Sequence, residues 1–254
     1  MSQVPALPEH DYQSPLSEEW LFKAGASLFL VAGPLGGLGQ ALHPRPNPDD
    51  HLSMIAAAAA TPFWIPIHVA SMLSVVLTLA GLVALSRSLS TQPERGLARL
   101  GLMTAVIGAA VTLVGLALDG VALKHIADAW SITSGADRVL LTSIALVVEE
   151  LILPLQALNT LAWFGAPFVA FGLSVIFSSG YPSRMGWIAV VAGITCIVLG
   201  VVQLVSGFGS SSLLLLVTIF TTINSLWMIP ISILLRRRAR ALAVASLDER
   251  MELR

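Results

Sequence analysis

Long apolar stretches separated by short polar segments make up most of the chain. Six windows are almost uninterrupted apolar runs: 20–42, 63–87, 97–126, 138–178, 185–207 and 212–235. A helix needs roughly 20 such residues to cross the hydrocarbon core of a bilayer. The pattern therefore predicts an all-α fold, a polytopic membrane bundle of six transmembrane helices.

The fourth window, 138–178, is longer than one crossing requires. It forms either one long helix that projects from the membrane or a hairpin of two short helices that turns near Asn159. The hairpin would add a seventh crossing and would bury the adjacent Glu149 and Glu150 near the middle of the bilayer, which costs several kcal/mol. We therefore expect six crossings.

The distribution of basic residues predicts the orientation of the bundle. With six crossings and the N-terminus inside, the inner side holds eleven of them: Lys23, Arg87, Arg95, Arg99, Arg184, Arg236, Arg237, Arg238, Arg240, Arg250 and Arg254. The outer side holds Arg45, Lys124 and Arg138. Because cytoplasmic loops carry the excess of Lys and Arg, we expect both termini in the cytoplasm.

The windows divide the chain into a cytoplasmic tail over 1–19, a transmembrane domain over 20–240 and a second cytoplasmic tail over 241–254. The first tail is acidic and has no basic start, so the first apolar window is expected to stay in the mature protein. The third and fourth windows overshoot the membrane, and their helices are expected to extend on the outer side as a hairpin turned by 131–137.

Glycine recurs every seven residues in three windows. The fifth carries Gly186, Gly193, Gly200 and Gly207, the third carries Gly101, Gly108, Gly115 and then Ala122, and the first carries Gly25, Ala32 and Gly39. A seven-residue spacing keeps a small residue on one helix face, and small residues let helices approach closely in lipid. We therefore expect the odd-numbered helices to be related repeats whose small faces meet in the centre of the bundle.

Composition excludes several classes of protein. Apolar residues make up 56% of the chain and charged residues 11%, where soluble domains carry about 25% charged residues. Fourteen Lys and Arg against fifteen Asp and Glu leave no basic face for nucleic acid. A soluble enzyme and a nucleic-acid module are excluded, and the expected partners are the lipid bilayer and a lipidic small molecule. The oligomeric state does not follow from the sequence.

Ionisable residues gather on the predicted outer side. Four of the five histidines map there: His43, His51, His68 and His125. At a rise of about 1.5 Å per residue, His68 and Asp119 both lie about 30 Å from the inner ends of their helices, and Gln203 lies at a similar height. We expect His43, His68, Asp119 and one of Glu149 and Glu150 in one layer.

The first functional hypothesis is a site for a metal ion or haem. Imidazoles with carboxylates suit zinc, iron or copper, and the candidate metal ligands are His43, His68, Asp119 and Glu149. Two imidazoles alone suit haem, and the candidate cofactor ligands are His68 and His125. The chain has no His-x-x-x-His, Glu-x-x-His or Cys-x-x-Cys motif, so spacing identifies no particular metal.

The second hypothesis is a membrane enzyme that uses acid–base chemistry on a lipidic or isoprenoid substrate, like a cyclase or isomerase. A carboxylic acid in an apolar pocket can act as a general acid, and the candidate catalytic residues are Asp119, Glu149 and Glu150. Aromatic walls would come from Phe63, Trp64, Trp130 and Trp163, which equally fit an interfacial aromatic belt. A third hypothesis is a carrier or accessory subunit without chemistry.

Three short stretches are similar to a known group of proteins. They are Arg87-Ser-Leu after the second window, Leu118-Asp-Gly-Val-Ala-Leu at the end of the third, and Tyr181-Pro with Gly186-Trp187 at the start of the fifth. Over about half of its length the chain resembles small multipass bacterial membrane proteins of unknown function. The resemblance implies a helical protein of the bacterial plasma membrane and assigns no catalytic residue.

Overall fold

The computed structural model describes residues 15–44, 50–208 and 210–252. Over these residues the chain is helical apart from short turns. The helices are α1 (Pro15–Leu42), α2 (His51–Ala60), α3 (Trp64–Ser88), α4 (Glu94–Ala117), a π-helical segment (Leu118–Leu123), α5 (Lys124–Ile132), α6 (Gly135–Ala162), α7 (Ala166–Phe177), α8 (Ser183–Ser206) and α9 (Ser211–Glu252). The all-α fold predicted from the apolar pattern is confirmed.

Six stretches are long and apolar enough to cross a membrane. They are Glu18–Leu42, Trp64–Ser88, Glu94–Ile132, Gly135–Phe177, Ser183–Ser206 and Ser211–Ala245. The third consists of α4, the π-helical segment and α5, and the fourth consists of α6 and α7. The six predicted crossings are confirmed, and the third and fourth are the extended ones.

The six stretches form a closed ring in the order in which they occur along the chain. Each packs against its neighbours in sequence: α1 on α3, α3 on α4, α4 on α6 and α7, these two on α8, and α8 on α9. Contact between α9 and α1 closes the ring. Because short connections join antiparallel neighbours, successive stretches alternate in direction around the ring.

The two ends of the ring differ in character. At one end α1 begins and α3 ends, and α9 passes between them in a cluster that includes Phe22, Ala84 and Leu235. The described basic residues that were predicted to be cytoplasmic lie at this end, and we call it the basic end. At the opposite end α2, α5 and the first half of α6 form a cap with Trp64 and Leu123 in its core, and we call it the capped end.

Specific contacts hold the cap together. The Asp50 side chain accepts a hydrogen bond from the Leu52 backbone N–H at 3.0 Å at the start of α2. The Lys124 ammonium donates to the carbonyls of Ala58 and Ala59 at 3.0 and 3.3 Å, which satisfies acceptors that the last turn of α2 leaves unpaired. Gly135, with φ of 63°, turns the chain from α5 into α6, within the predicted hairpin turn.

The fourth stretch is a broken helix. Residues 163–165 separate α6 from α7, yet both helices run alongside α4 and α8, so they continue in one direction. The hairpin alternative with a turn near Asn159 is therefore wrong. The Asn224 amide donates to the Phe164 carbonyl at 2.7 Å, which satisfies an acceptor that the break exposes.

The glycine repeats pack against the adjacent helices, and the prediction that they meet in the centre is wrong. On α8, a Cβ at Gly193 or Gly200 would lie only 2.9 Å from a carbonyl oxygen of Gly165 or Ala157. On α4, a Cβ at Gly108 would overlap the Ala162 carbonyl from the other side. The repeats of α4 and α8 thus face the broken helix between them, and those of α1 face α3, because the ring places each such helix beside its neighbours in sequence.

The two predicted tails are covered in part. Residues 1–14 of the first tail lie outside the described residues, and α1 begins at Pro15. At the other end α9 continues without interruption to Glu252, so the described part of 241–254 extends the last membrane-spanning helix.

Candidate metal centre

Three side chains from distant parts of the sequence meet at the capped end. His43 follows the last residue of α1, His68 lies in the second turn of α3, and Asp119 lies in the π-helical segment. The distance from His68 Nε2 to Asp119 Oδ2 is 3.2 Å, and from His43 Nε2 to the same oxygen it is 3.5 Å. Their candidate ligand atoms all lie within 4.8 Å of one another. The structure thus brings together three of the four candidate metal ligands.

The π-helical segment places Asp119 in this group. Such segments insert one residue into an α-helix, and they occur frequently at functional sites. Trp64 Nε1 donates to the Asp119 carbonyl at 2.8 Å, so a backbone acceptor of the segment is satisfied from α3. A Cβ at Gly120 would overlap the His68 side chain. Glycine at this position therefore lets the imidazole pack directly on the backbone of the segment.

Both imidazoles are oriented by backbone carbonyls. His68 Nδ1 lies 2.8 Å from the Trp64 carbonyl oxygen, and His43 Nδ1 lies 2.7 Å from that of Pro44. A carbonyl only accepts hydrogen bonds, so each Nδ1 must carry the hydrogen. A neutral imidazole in this tautomer has a lone pair on Nε2, and both Nε2 atoms lie within 3.5 Å of Asp119 Oδ2. This is the hydrogen-bonding pattern found around metal-binding histidines.

The three atoms lie close enough to one another to share one cation. A proton on Asp119 Oδ2 could be donated to one of the two imidazoles, and the contact with the other imidazole would remain without a hydrogen. Protonating both imidazoles would place two cations with ring centroids 5.1 Å apart, in a site where His68 is 2% exposed. One divalent metal ion would satisfy all three atoms.

Two of the three separations between the acceptor atoms match those in a tetrahedral metal site. With bond lengths of about 2.0–2.2 Å, two ligand atoms of a tetrahedral zinc ion lie about 3.3–3.6 Å apart. The contacts of 3.2 and 3.5 Å at Asp119 Oδ2 agree with that separation. Nitrogen and carboxylate oxygen are also the donor types that zinc accepts. The residues present therefore fit a zinc-like ion.

A chamber of about 440 Å³ begins at this group and continues between the helices. Its lining comes from α1, α2, α3, α4, α6, α8 and α9. Thr112 Oγ1 lies 2.6 Å from Asn159 Oδ1, and a Cβ at Gly115 would contact Leu155. This register places Asp119 level with about Ile152, so the chamber runs from the candidate ligands towards the middle of the bundle.

The remaining candidate residues are placed differently. Glu149 lines the chamber but is not in the three-residue ligand group. Of the four predicted metal ligands, the described side chains therefore bring three together. Glu150 is exposed, since adjacent residues on a helix face different directions. His125 is also exposed: α5 directs Lys124 towards α2 and turns His125 outwards. The predicted pairing of His68 with His125 is therefore not formed. The side chain of His51 lies outside the description.

One of the four predicted aromatic walls belongs to the site. The Trp64 ring lies 4.9 Å from that of His43 and 5.2 Å from that of His68, between centroids. Phe63 is 69% exposed. Trp130 donates to a threonine within the cap, and Trp163 lies in the main core of the bundle.

Sequence reasoning missed the parts of the site that orient the ligands. The backbone carbonyls of Trp64 and Pro44 orient the imidazoles, but they cannot be recognised in a sequence because every residue has a carbonyl group. Gly120 had a weak signal: it lies outside the seven-residue series of Gly101, Gly108, Gly115 and Ala122, so that series does not account for it.

The chain matches no protein-family model, no curated protein and no solved structure. The resemblance to small bacterial membrane proteins stays a prediction.

Proposed function

We propose that this protein is a metalloprotein of the bacterial plasma membrane that holds one divalent transition metal ion, zinc by its ligands. The ligands are His43 Nε2, His68 Nε2 and Asp119 Oδ2. The observation that carries the proposal is the pair of Nδ1 hydrogen bonds to backbone carbonyls, together with the two Nε2 atoms at 3.2 and 3.5 Å from one carboxylate oxygen.

The number of protein ligands indicates the type of metal site. Structural zinc sites have four protein ligands, whereas catalytic sites have three and an open position. Here the three ligands lie at the end of a chamber, so the open position faces space in which a small molecule fits. A zinc ion there would supply a water of lowered pKa and would polarise a carbonyl oxygen. Glu149 lines the same chamber and is our candidate for receiving a proton.

The alternatives considered from the sequence have less support. A porphyrin needs a plane between two axial imidazoles, and between His43 and His68 that space holds the Asp119 carboxylate. A general-acid role for Asp119 needs a proton that is free to reach a substrate, whereas Oδ2 is directed at both imidazoles. We therefore propose the metal site and not haem binding or an isolated acid.

The predicted orientation of the bundle indicates on which side of the membrane the metal site lies. With the basic end in the cytoplasm, as the excess of Lys and Arg predicts, the capped end and the chamber lie at the outer side. The assignment to a bacterial plasma membrane rests on the resemblance of the sequence stretches at Arg87, Leu118 and Tyr181.

Elemental analysis of the purified protein tests the proposal. Protein prepared without chelators is expected to carry about one zinc equivalent per chain, and His68→Ala is expected to lower the zinc content at least about tenfold. His125→Ala is the matched control, because this histidine is exposed and lies outside the ligand group. Its metal content should equal that of the wild type.

Two folding controls distinguish a variant that has lost its metal from a variant that has not folded. Each variant is compared with the wild type by size-exclusion chromatography and far-UV circular dichroism. Wild-type protein that binds no zinc when titrated with it, or a His68→Ala variant that retains full zinc content, would refute the metal site.

A further inference from the structure

The chamber extends well beyond the metal ligands. At its deep end it is lined by three carboxamide side chains: Gln156, Asn159 and Gln203. A Cβ at Gly200 would lie 2.9 Å from the Ala157 carbonyl, and this register puts Gln203 about level with Gln156. At a rise of about 1.5 Å per residue, the carboxamides lie roughly 6–10 Å deeper than Asp119.

Hydroxyl groups at the deep end already have partners. Thr160 Oγ1 donates to the Gln156 carbonyl at 3.0 Å, and Thr221 Oγ1 donates to the Val217 carbonyl at 2.8 Å. Threonine hydroxyls on helices commonly bond to their own backbone in this way. The hydrogen-bonding groups that remain for a ligand are therefore the carboxamides of Gln156 and Gln203 and the NH2 group of Asn159, whose oxygen accepts from Thr112.

Gln203 has hydrogen-bonding capacity that the fold does not use. The residue is 3% exposed, and its Oε1 has no hydrogen-bond partner among the side chains and backbone that the structure describes. A buried polar atom without a partner costs free energy, and each one calls for an explanation. A ligand in the chamber would supply the missing partner.

The chamber has three zones of different chemistry. All of its described ionisable lining residues, which are His43, His68, Asp119 and Glu149, are at the metal end. Leu116, Leu153 and Leu155 line the chamber between that end and the carboxamides. The group bound at the deep end is therefore neutral, and the part of the ligand in between is apolar.

We propose that Gln203, with Gln156 and Asn159, forms a second binding subsite for a neutral hydroxyl or amide group of the ligand. The ligand is then a linear aliphatic molecule that presents an oxygen to the metal and carries the hydroxyl or amide further along its chain. This substrate class rests on the proposed metal function, because the metal fixes the other end of the ligand.

Pairs of alkyl hydroxamates test the subsite. A hydroxamate binds zinc, and its chain can end in either a methyl or a hydroxyl group. Dissociation constants are measured by calorimetry on zinc-loaded, detergent-solubilised protein for a series of chain lengths. At one length, the hydroxyl-ended probe is expected to bind about tenfold more tightly than its methyl-ended partner, as one recovered hydrogen bond allows.

Two variants assign that preference to Gln203. In Gln203→Leu the preference for the hydroxyl should disappear, while the methyl-ended probe binds at least as tightly as before. Thr195→Val is the control on the same helix, because Thr195 is exposed and bonds to its own backbone. It should keep the full preference.

The possible failures are distinguishable. If methyl-ended and hydroxyl-ended probes bind equally at every length, the subsite is refuted and the metal site stands. If neither series binds zinc-treated protein, both proposals fail. A Gln203→Leu variant that keeps the preference also overturns the subsite. If this variant does not fold, the dependence of the hydroxyl preference on chain length in the wild-type protein decides whether the subsite exists.

Discussion

Replacement of Gly120 by alanine tests whether the contact between the π-helical segment and α3 sets the position of the metal ligand. A Cβ at this position would overlap Cβ of His68 and lie 2.5 Å from its Cγ, whereas unstrained carbon atoms lie about 3.5–4.0 Å apart. The imidazole or the segment must therefore move by roughly 1 Å. Overpacking of this kind costs about 1–3 kcal/mol.

Gly115→Ala is the matched control on the same stretch. Its Cβ would lie 3.5 Å from Leu155 Cβ, which is ordinary contact. Alanine is also favoured over glycine inside a helix by up to about 1 kcal/mol. The control is therefore expected to be neutral or stabilising, and Gly120→Ala to be less stable than the control by about 1–3 kcal/mol in denaturation by detergent.

The effect on the metal should exceed the effect on stability. Metal sites tolerate deviations of only about 0.2 Å in ligand distance, so a shift of His68 disturbs the site even when the bundle still folds. We expect zinc affinity, measured against a competing chelator, to fall about 10–100-fold in Gly120→Ala and to stay unchanged in Gly115→Ala. Equal affinities in the two variants would show that Gly120 does not position the ligand.

Three further predictions concern parts of the protein outside the ligand group. Trp64→Phe keeps an aromatic ring but removes the donor to the Asp119 carbonyl. This substitution should lower the free energy of unfolding by about 1–3 kcal/mol. A loss below about 0.5 kcal/mol in the same denaturation assay would contradict the prediction. Asn224→Leu leaves the Phe164 carbonyl without its donor, and should destabilise by a similar amount, whereas Thr195→Val should not. A reporter fused after Arg254 should stay in the cytoplasm, with fluorescent protein active and alkaline phosphatase inactive; the reverse pattern would place the chamber on the inner side.

The position of the site along the membrane normal could be predicted from the sequence. Apolar runs define where each helix crosses, and the rise per residue converts a residue number into a height. On that basis His43, His68 and Asp119 were expected in one layer, and they share a contact in the structure. The six crossings followed from the same argument.

The direction in which each side chain points could not be predicted in the same way. Glu149 and Glu150 have nearly the same height, but only Glu149 lines the chamber. His125 has a suitable height and lies exposed on α5. Direction depends on which helices are neighbours and on where a helix changes its winding. The π-helical segment at Leu118–Leu123 is such a change, and nothing in the apolar pattern marks it.

Along α4 and α8, tight glycine packing against the broken helix and the chamber occupy different parts of the bundle. From the basic end to its middle, α7 and the end of α6 are held closely on both sides, since a Cβ at Gly108 or Gly193 would meet backbone atoms of the broken helix. Nearer the capped end the contacts of α4 and α8 with the broken helix loosen, because a Cβ at Gly115 would meet one described side chain, at 3.5 Å, and one at Gly207 would meet no described atom within 4 Å. α4 and α8 therefore lie further from α6 where their glycine repeats end, and the chamber occupies the space between them. The break before α7 allows this difference, because α6 and α7 then need not share one straight axis. The repeats that let the helices associate in lipid thus also determine where a ligand has room to bind.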